Sequence, residues 1–343
     1  MKIYIDPRST VNYSSFYIKG LYDFFGKSSV RFSARHFSGL KDIDMLMAFV
    51  TVENNKSVRY IIDCRDQSDV IVDAYNWADK YAKVNLNRKT TVLPADVSDK
   101  MVHIPPSFAV KIWNPAELAF NLSVNFIKAG IISRRHDKNI HLRPARYIRN
   151  YLSLLKRQKI KSYESAAGGE IPGYVFFVST WWAGTKDTNE FRYRYIHSLK
   201  NNAEINFHGG FFVGNDTPKP EEIEEDLLYY RFISNSRYLK NIKKSGIVFN
   251  TPAVHNCHGW KLGEFLCLGK AIISTSLVND LPEPLEHGKN IYFVKNSEDI
   301  PAAVNTLMND SELRKRLGTN ARQYYERLAS PFKVIERIIN KDI

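Results

Sequence analysis

The chain has 343 residues, 44% hydrophobic and 25% charged, enough for two domains that each bury a core. These are ordinary globular values: they exclude a long disordered chain, and no run of eighteen apolar residues offers a membrane span. The formal net charge of +13 is lopsided, with 27 Lys and Arg against 15 Asp and Glu in residues 1–165, and 22 against 21 beyond them.

In chain order, strand and helix patterns alternate. Residues 2–5 read as a strand, 6–14 as a turn-rich loop and 15–25 as a helix; the start MKIYIDPRST enters its strand without a signal-peptide pattern. Residues 45–52 and 59–63 read as buried strands, 70–82 as mixed, and 82–85 and 101–104 as short strands, the last stopped by Pro105-Pro106. A helix over 115–129 leads into residues 128–161, with eleven basic residues and one acid, Asp137. Tyr147, Ile148, Tyr151, Leu152 and Leu155 fall at the spacing of one helical face, so 143–161 reads as a basic amphipathic helix. It either meets an anionic membrane or packs on its own domain. No nucleic-acid-binding signature accompanies the charge, and no nucleic-acid partner is expected.

Residues 162–173, SYESAAGGEIPG, read as the linker. A second alternation follows: strand 174–179, helix 190–201, strand 203–208 and the pair Gly209-Gly210. The expected class is α/β with two Rossmann-like, doubly wound domains facing a central cleft: residues 1–165, residues 166–330, and a last helix over 331–343 crossing back to the first. Cys64, Cys257 and Cys267 form no CxxC pair and are odd in number, which points to a reducing, cytoplasmic setting without structural zinc.

The stretch from Gly246 to Ser274 carries the most chemistry. A short apolar run, 247–250, ends at Thr251-Pro252; apolar Leu262, Phe265, Leu266 and Cys267 then mark one face of a short helix, Gly269 caps it, and 271–273 is the next strand. Gly259 stands where the helix begins, so backbone N–H groups there are open to an anion, with Lys261 adding positive charge. Glu264 follows on the same side.

The string HGWKLGEFLCLGKAII resembles the nucleotide-sugar segment of GT-B glycosyltransferases, close to the group 1 (family 4-like) and exostosin-like branches. The downstream text, with its Gly-Lys-Asn turn and the Asn-Ala-Arg at 320–322, resembles the same family. The resemblance implies that Glu264 binds the ribose of a nucleotide. The family pattern places an acid eight positions earlier, against the donor sugar. This chain has Asn256 there, flanked by His255 and His258, which leaves the donor and the retaining or inverting outcome open.

Ligands of doubly wound sheets lie at the carboxyl ends of the strands. On that rule Ser179, Thr180 and Lys186, with Arg192 as second choice, are candidates to hold a diphosphate. Gly209 is a candidate for close backbone approach, and His258 and Asn256 for donor contacts. Asn12, Tyr13 and Ser14 are acceptor candidates, and Asp66 or His103 a general base. A dehydrogenase would want GxGxxG after the first strand, where no glycine stands, and no P-loop occurs. Asp42-Ile43-Asp44 imitates a metal-binding carboxylate pair but precedes a strand. His255, Cys257 and His258 lack further zinc ligands. No cofactor or essential metal is therefore expected.

The expectation is a hexosyltransferase that moves sugar from a nucleotide-diphosphate donor to a saccharide or polyprenyl-linked acceptor in bacterial surface polysaccharide synthesis. It would lie in the cytoplasm, peripheral to the inner membrane face. The alternatives are a nucleotide-sugar epimerase of the same shape, or a non-catalytic basic adaptor for membrane or nucleic acid.

Overall fold

The computed structural model describes residues 1–343 except 42, 88, 90–99, 137–142, 166–168, 215–216, 218 and 341–343, and the side chains of 134–136. Asp42 and Asp137 thus lie outside the described residues. Two units are distinguished: Met1–Ile160 with Asn279–Pro282 and Leu328–Ile343, and Lys161–Val278 with Glu283–Arg327.

The first unit begins with β1 (Lys2–Ile5), α1 (Val11–Phe25), β2 (Val30–Phe32), β3 (Leu46–Glu53) and β4 (Lys56–Asp63). It continues with α2 (Val72–Trp77), β5 (Lys80–Lys83), β6 (Met101–His103), α3 (Pro115–His136) and α4 (Pro144–Ser153). The sheet order is β2-β1-β3-β4-β5-β6. It is parallel except at β3, which runs antiparallel to both β1 and β4. The reversal is made by Asn54-Asn55, both at positive φ (47° and 62°), the pair a two-residue hairpin requires. The sequence reading gave 45–52 and 59–63 as two strands without assigning the turn between them. Asn tolerates the left-handed region, but the two flanking apolar runs look the same in either direction.

Three expectations are corrected here. The first helix starts at Val11, so Asn12, Tyr13 and Ser14 occupy its first turn rather than a loop. β4 ends at Asp63, placing Asp66 in the loop beyond it. The basic helix stops at Ser153 and continues as a 3₁₀ turn, Leu154–Lys156, rather than running to 161.

The second unit holds α5 (Ile160–Glu164, which straddles the boundary), β7 (Tyr174–Ser179), α6 (Lys186–Lys200), β8 (Asn206–Phe212), β9 (Leu228–Tyr229) and α7 (Asn235–Lys244). Then come β10 (Ile247–Asn250), α8 (Trp260–Leu268), β11 (Ala271–Thr275), β12 (Tyr292–Val294), α9 (Ile300–Asn309) and α10 (Ser311–Tyr324). Its strands form two parallel ribbons, β7-β8-β9 and β10-β11-β12. The ribbons meet at the amino ends of β7 and β10: Gly246 N–H donates to the Tyr174 carbonyl (3.0 Å), and the Phe176 N–H donates to Ser245 Oγ (2.8 Å). In unit order the strands therefore lie 3-2-1-4-5-6, with a topological switch point between β7 and β10. Their apolar side chains share one core, in which Val175, Phe177, Phe249, Ile273 and Leu307 are buried.

Both ends of α8 are set by glycine. Gly259 is the N-cap in extended backbone, and Gly269 closes the helix at φ 64°, ψ 45°. α7 and α10 are capped by Ser234 and Asp310 side chains. The last helix, α11 (Pro331–Ile339), belongs to the first unit and packs on α1. A Cβ at Gly20 would meet the Pro331 carbonyl oxygen at 2.2 Å, so only glycine admits this crossing.

Candidate active site

A pocket of about 430 Å³ opens at the switch point of the second unit, at the carboxyl ends of β7, β8 and β10. Phe177, Val178, Ser179 and Thr180 bring β7 to it, Phe249 and Thr251 bring β10, and Gly259, Trp260 and Lys261 bring the start of α8. Lys261 lies against the end of β7: its ammonium donates to the Val178 carbonyl (2.8 Å) and lies 4.6 Å from the centre of the Phe177 ring. A buried cation thus satisfies a carbonyl on the side of β7 that faces β10. Burial, with Arg192 nearby, pulls the Lys261 ammonium down to about 7.

Arg192, on α6, is 94% buried, donating from Nε to Thr251 Oγ1 (3.0 Å) and from a terminal nitrogen to the Thr180 carbonyl (2.8 Å). Burial lowers it to about 10, so it stays charged at neutral pH. Among the described residues neither cation forms a salt bridge. The nearest acid acting on Lys261 is Glu264, whose carboxylate is hydrogen-bonded by Tyr238, a residue that also lines the pocket. Glu264 itself is not among the residues lining the pocket. Two buried positive charges, oxygen-tethered but unneutralised, converge beside the N-terminus of α8. This geometry accepts a polyanion such as a diphosphate.

The sequence candidates divide accordingly. Ser179, Thr180, Arg192, Gly259 and Lys261 come together in the pocket. Lys186 does not: it opens α6, exposed, and the second choice, Arg192, turns inward from the same helix. Gly209 is mid-strand in β8, not at a strand end. It sits at φ 150°, and its missing Cβ would collide with the Phe177 carbonyl oxygen at 1.7 Å, so its role is close strand pairing. Asn256 is exposed and His258 buried; neither lines the pocket. His255 and Asn256 are consecutive left-handed residues (φ 58° and 55°) in the turn before α8, strain of the kind held at functional loops. Sequence reasoning missed Arg231, Phe232, Ile233 and Tyr238, which close the far side. A Tyr-Arg-Phe-Ile run after a two-residue strand carries no local signal.

In the first unit, Asn12 accepts from Ser153 Oγ (3.0 Å), and Ser14 is buried. Tyr13 is half-buried, and burial with Asp66 nearby raises its phenol. Asp66 and Tyr13 are thus neighbours, whereas His103 ends β6, buried, with its carbonyl accepting from Arg337 Nε (2.9 Å). The acid buried at a strand end is Asp63, which sequence reasoning passed over. It is held by Lys83 (2.9 Å), Tyr81 (2.7 Å) and Arg65 (3.1 Å).

The site therefore lies at the switch point of a Rossmann-like unit. Residues 219–324 match the sequence model of the family "Glycosyl transferases group 1", and over that region the resemblance read from the α8 motif is borne out. No curated protein matches. Among solved structures, the chain is similar to the C-terminal domain of a glycosyl transferase group 1 family protein (LpcC) from Francisella tularensis. The identity is 22% and the TM-score 0.33, covering 46% of this chain and 86% of that one. It is also similar to Anabaena Alr3699/HepE in complex with UDP and glucose, at 12% identity and a TM-score of 0.42, covering 79% of this chain and 64% of that one. A third is WaaG, a glycosyltransferase involved in lipopolysaccharide biosynthesis, at 13% identity and a TM-score of 0.37, covering 78% and 82%. The chain thus spans just under two thirds of HepE. Among the described residues, no helix is long and apolar enough to cross a membrane.

Proposed function

We propose that the protein is a glycosyltransferase that takes a hexosyl group from a nucleoside-diphosphate sugar and delivers it to a saccharide or polyprenyl-linked acceptor of surface polysaccharide synthesis. The observation that carries this reading is the convergence of Arg192 and Lys261, both buried and without a salt bridge among the described residues, at the switch point of the unit whose residues 219–324, Lys261 included, match the group 1 family. As the glycosidic bond breaks, negative charge grows on the leaving diphosphate. Arg192, Lys261 and the first N–H groups of α8 lie where that charge needs stabilising, and they are already in place before the reaction. Glu264 takes the ribose hydroxyls, oriented by Tyr238. The acceptor hydroxyl is deprotonated, if the enzyme inverts, by Asp66 beside Tyr13. The side chains supply all the positive charge, so the chemistry runs without an essential metal.

The test is thermal stabilisation by UDP, GDP, CMP and their sugar conjugates, with and without magnesium. At ~100 times its dissociation constant a ligand adds about 2.7 kcal/mol of stability, which a melting curve resolves. A shift with one nucleoside diphosphate that survives chelation, and is lost in Glu264→Ala, supports the reading and names the donor class. A well-folded sample that responds to none of them removes it and favours the adaptor alternative.

A further inference from the structure

The loop after β7 carries two consecutive tryptophans with different surroundings. Trp181 packs edge-on against Phe211 of the core, with ring centres 5.1 Å apart. Trp182 lines the pocket and keeps 41% of its surface exposed. Its main chain is nonetheless fixed. Asn189 of α6, only 3% exposed, holds it on both sides: Oδ1 accepts from the Trp182 N–H (3.1 Å), and Nδ2 donates to the Trp182 carbonyl (2.7 Å). The Thr185 hydroxyl donates to the same carbonyl (3.1 Å). Among the described residues the indole N–H makes no hydrogen bond. A large ring whose backbone is pinned by a buried amide, and whose own surface stays open, is preorganised for a ligand.

Its place in the pocket selects the part of the ligand it meets. The strand order β7-β8-β9 separates the loop after β7 from Arg231–Ile233, after β9, by two strand spacings, about 10 Å. Tyr238 and its partner Glu264 join α7 to α8, whereas Trp182 leads into α6, which packs on α9. Trp182 also stands two residues beyond the Thr180 carbonyl that Arg192 holds (2.8 Å). With the ribose toward Tyr238 and the diphosphate on Arg192 and Lys261, the group left to meet Trp182 is the one carried by the outer phosphate.

We propose that Trp182 is the platform on which the transferred hexosyl ring of the donor stacks. The inference rests on the glycosyltransferase reading and goes beyond it by giving the sugar its contact. A pyranose has a face of C–H groups and a rim of hydroxyls. The negative face of an indole attracts the first, and its N–H donates to the second. That same face repels a phosphate, so a diphosphate gains nothing from it.

The experiment is calorimetric titration of the full chain with UDP and GDP, and with UDP-glucose and GDP-mannose. Trp182→Ala should lower affinity for the conjugate about tenfold and change affinity for the free diphosphate less than about twofold. Trp182→Phe, which keeps an aromatic face, should recover most of that loss, and Trp182→Leu, apolar without one, should not. Because the side chain is exposed, all three variants should melt within about 2 °C of the wild type. An equal loss for conjugate and diphosphate overturns the inference by making Trp182 a nucleoside contact. No loss for either, or recovery by leucine as full as by phenylalanine, also overturns it, as does a wild-type protein that binds diphosphates but neither conjugate. Each of these results leaves the nucleotide site standing. A wild-type protein that binds no nucleotide removes both the inference and the reading beneath it.

Discussion

The two units place charge at their strand ends in opposite ways. In the first, Asp63 at the end of β4 is fully buried and met by Lys83, Arg65 and Tyr81, and Asp6 beyond β1 is met by Arg8. Each of these two acids has its counter-charge inside the protein. In the second unit, Arg192 and Lys261 are buried near the ends of β7 and β10, and among the described residues their hydrogen bonds go to carbonyl and hydroxyl oxygens, with no salt bridge. The first arrangement is closed; the second is the one the proposed function completes with a diphosphate. Burying a cation without a counter-ion costs folding free energy, and its persistence beside a pocket marks a site that function keeps.

The contrast can be broken by substitution. The largest effect is expected in the closed network. Asp63→Ala leaves Lys83 buried and uncompensated and should destabilise by about 3–5 kcal/mol, whereas Lys261→Met should hold or raise the melting temperature; thermal unfolding of both variants checks it. Next, Arg192→Ala should weaken nucleoside-diphosphate binding by roughly 100-fold, since a charge-assisted, desolvated contact is lost; titration calorimetry reads this directly. Then comes pH. Lys261 sits near 7 when free, and a bound diphosphate raises it, so the complex takes up a proton. Affinity should be level below pH 7 and fall as pH rises above it, by up to about tenfold per unit, and Lys261→Met should bind weakly with that slope removed. The smallest effect belongs to Lys186→Ala, less than about twofold on nucleotide affinity, because its side chain is exposed and outside the pocket.

How much of this was legible in the sequence follows the range of the interactions involved. α8 was readable because glycines at both ends and the spacing of Leu262, Phe265 and Leu266 are local facts. The strands were readable as apolar runs, but their direction was not, so the β3 reversal escaped notice until Asn54 and Asn55 were seen at positive φ. Lys186 was preferred to Arg192 on nearness to a strand end, yet a helix carries its inward face several residues further on. Gly209 looked like a ligand contact because a missing side chain signals close approach, and only tertiary structure says that β7 is what approaches. For α4, periodicity showed that one side is apolar; the packing of α3 decided which part of it is core.

The position of Lys261 and Arg192 has a kinetic consequence for the proposed reaction. On that proposal they hold the portion of the donor that departs as leaving group, not the sugar that is transferred. In a transferase built this way, spent nucleotide leaves the pocket against the same attraction that drew the donor in. The proposed function therefore predicts turnover governed by the departure of that nucleotide, and inhibition by added nucleoside diphosphate in a steady-state assay.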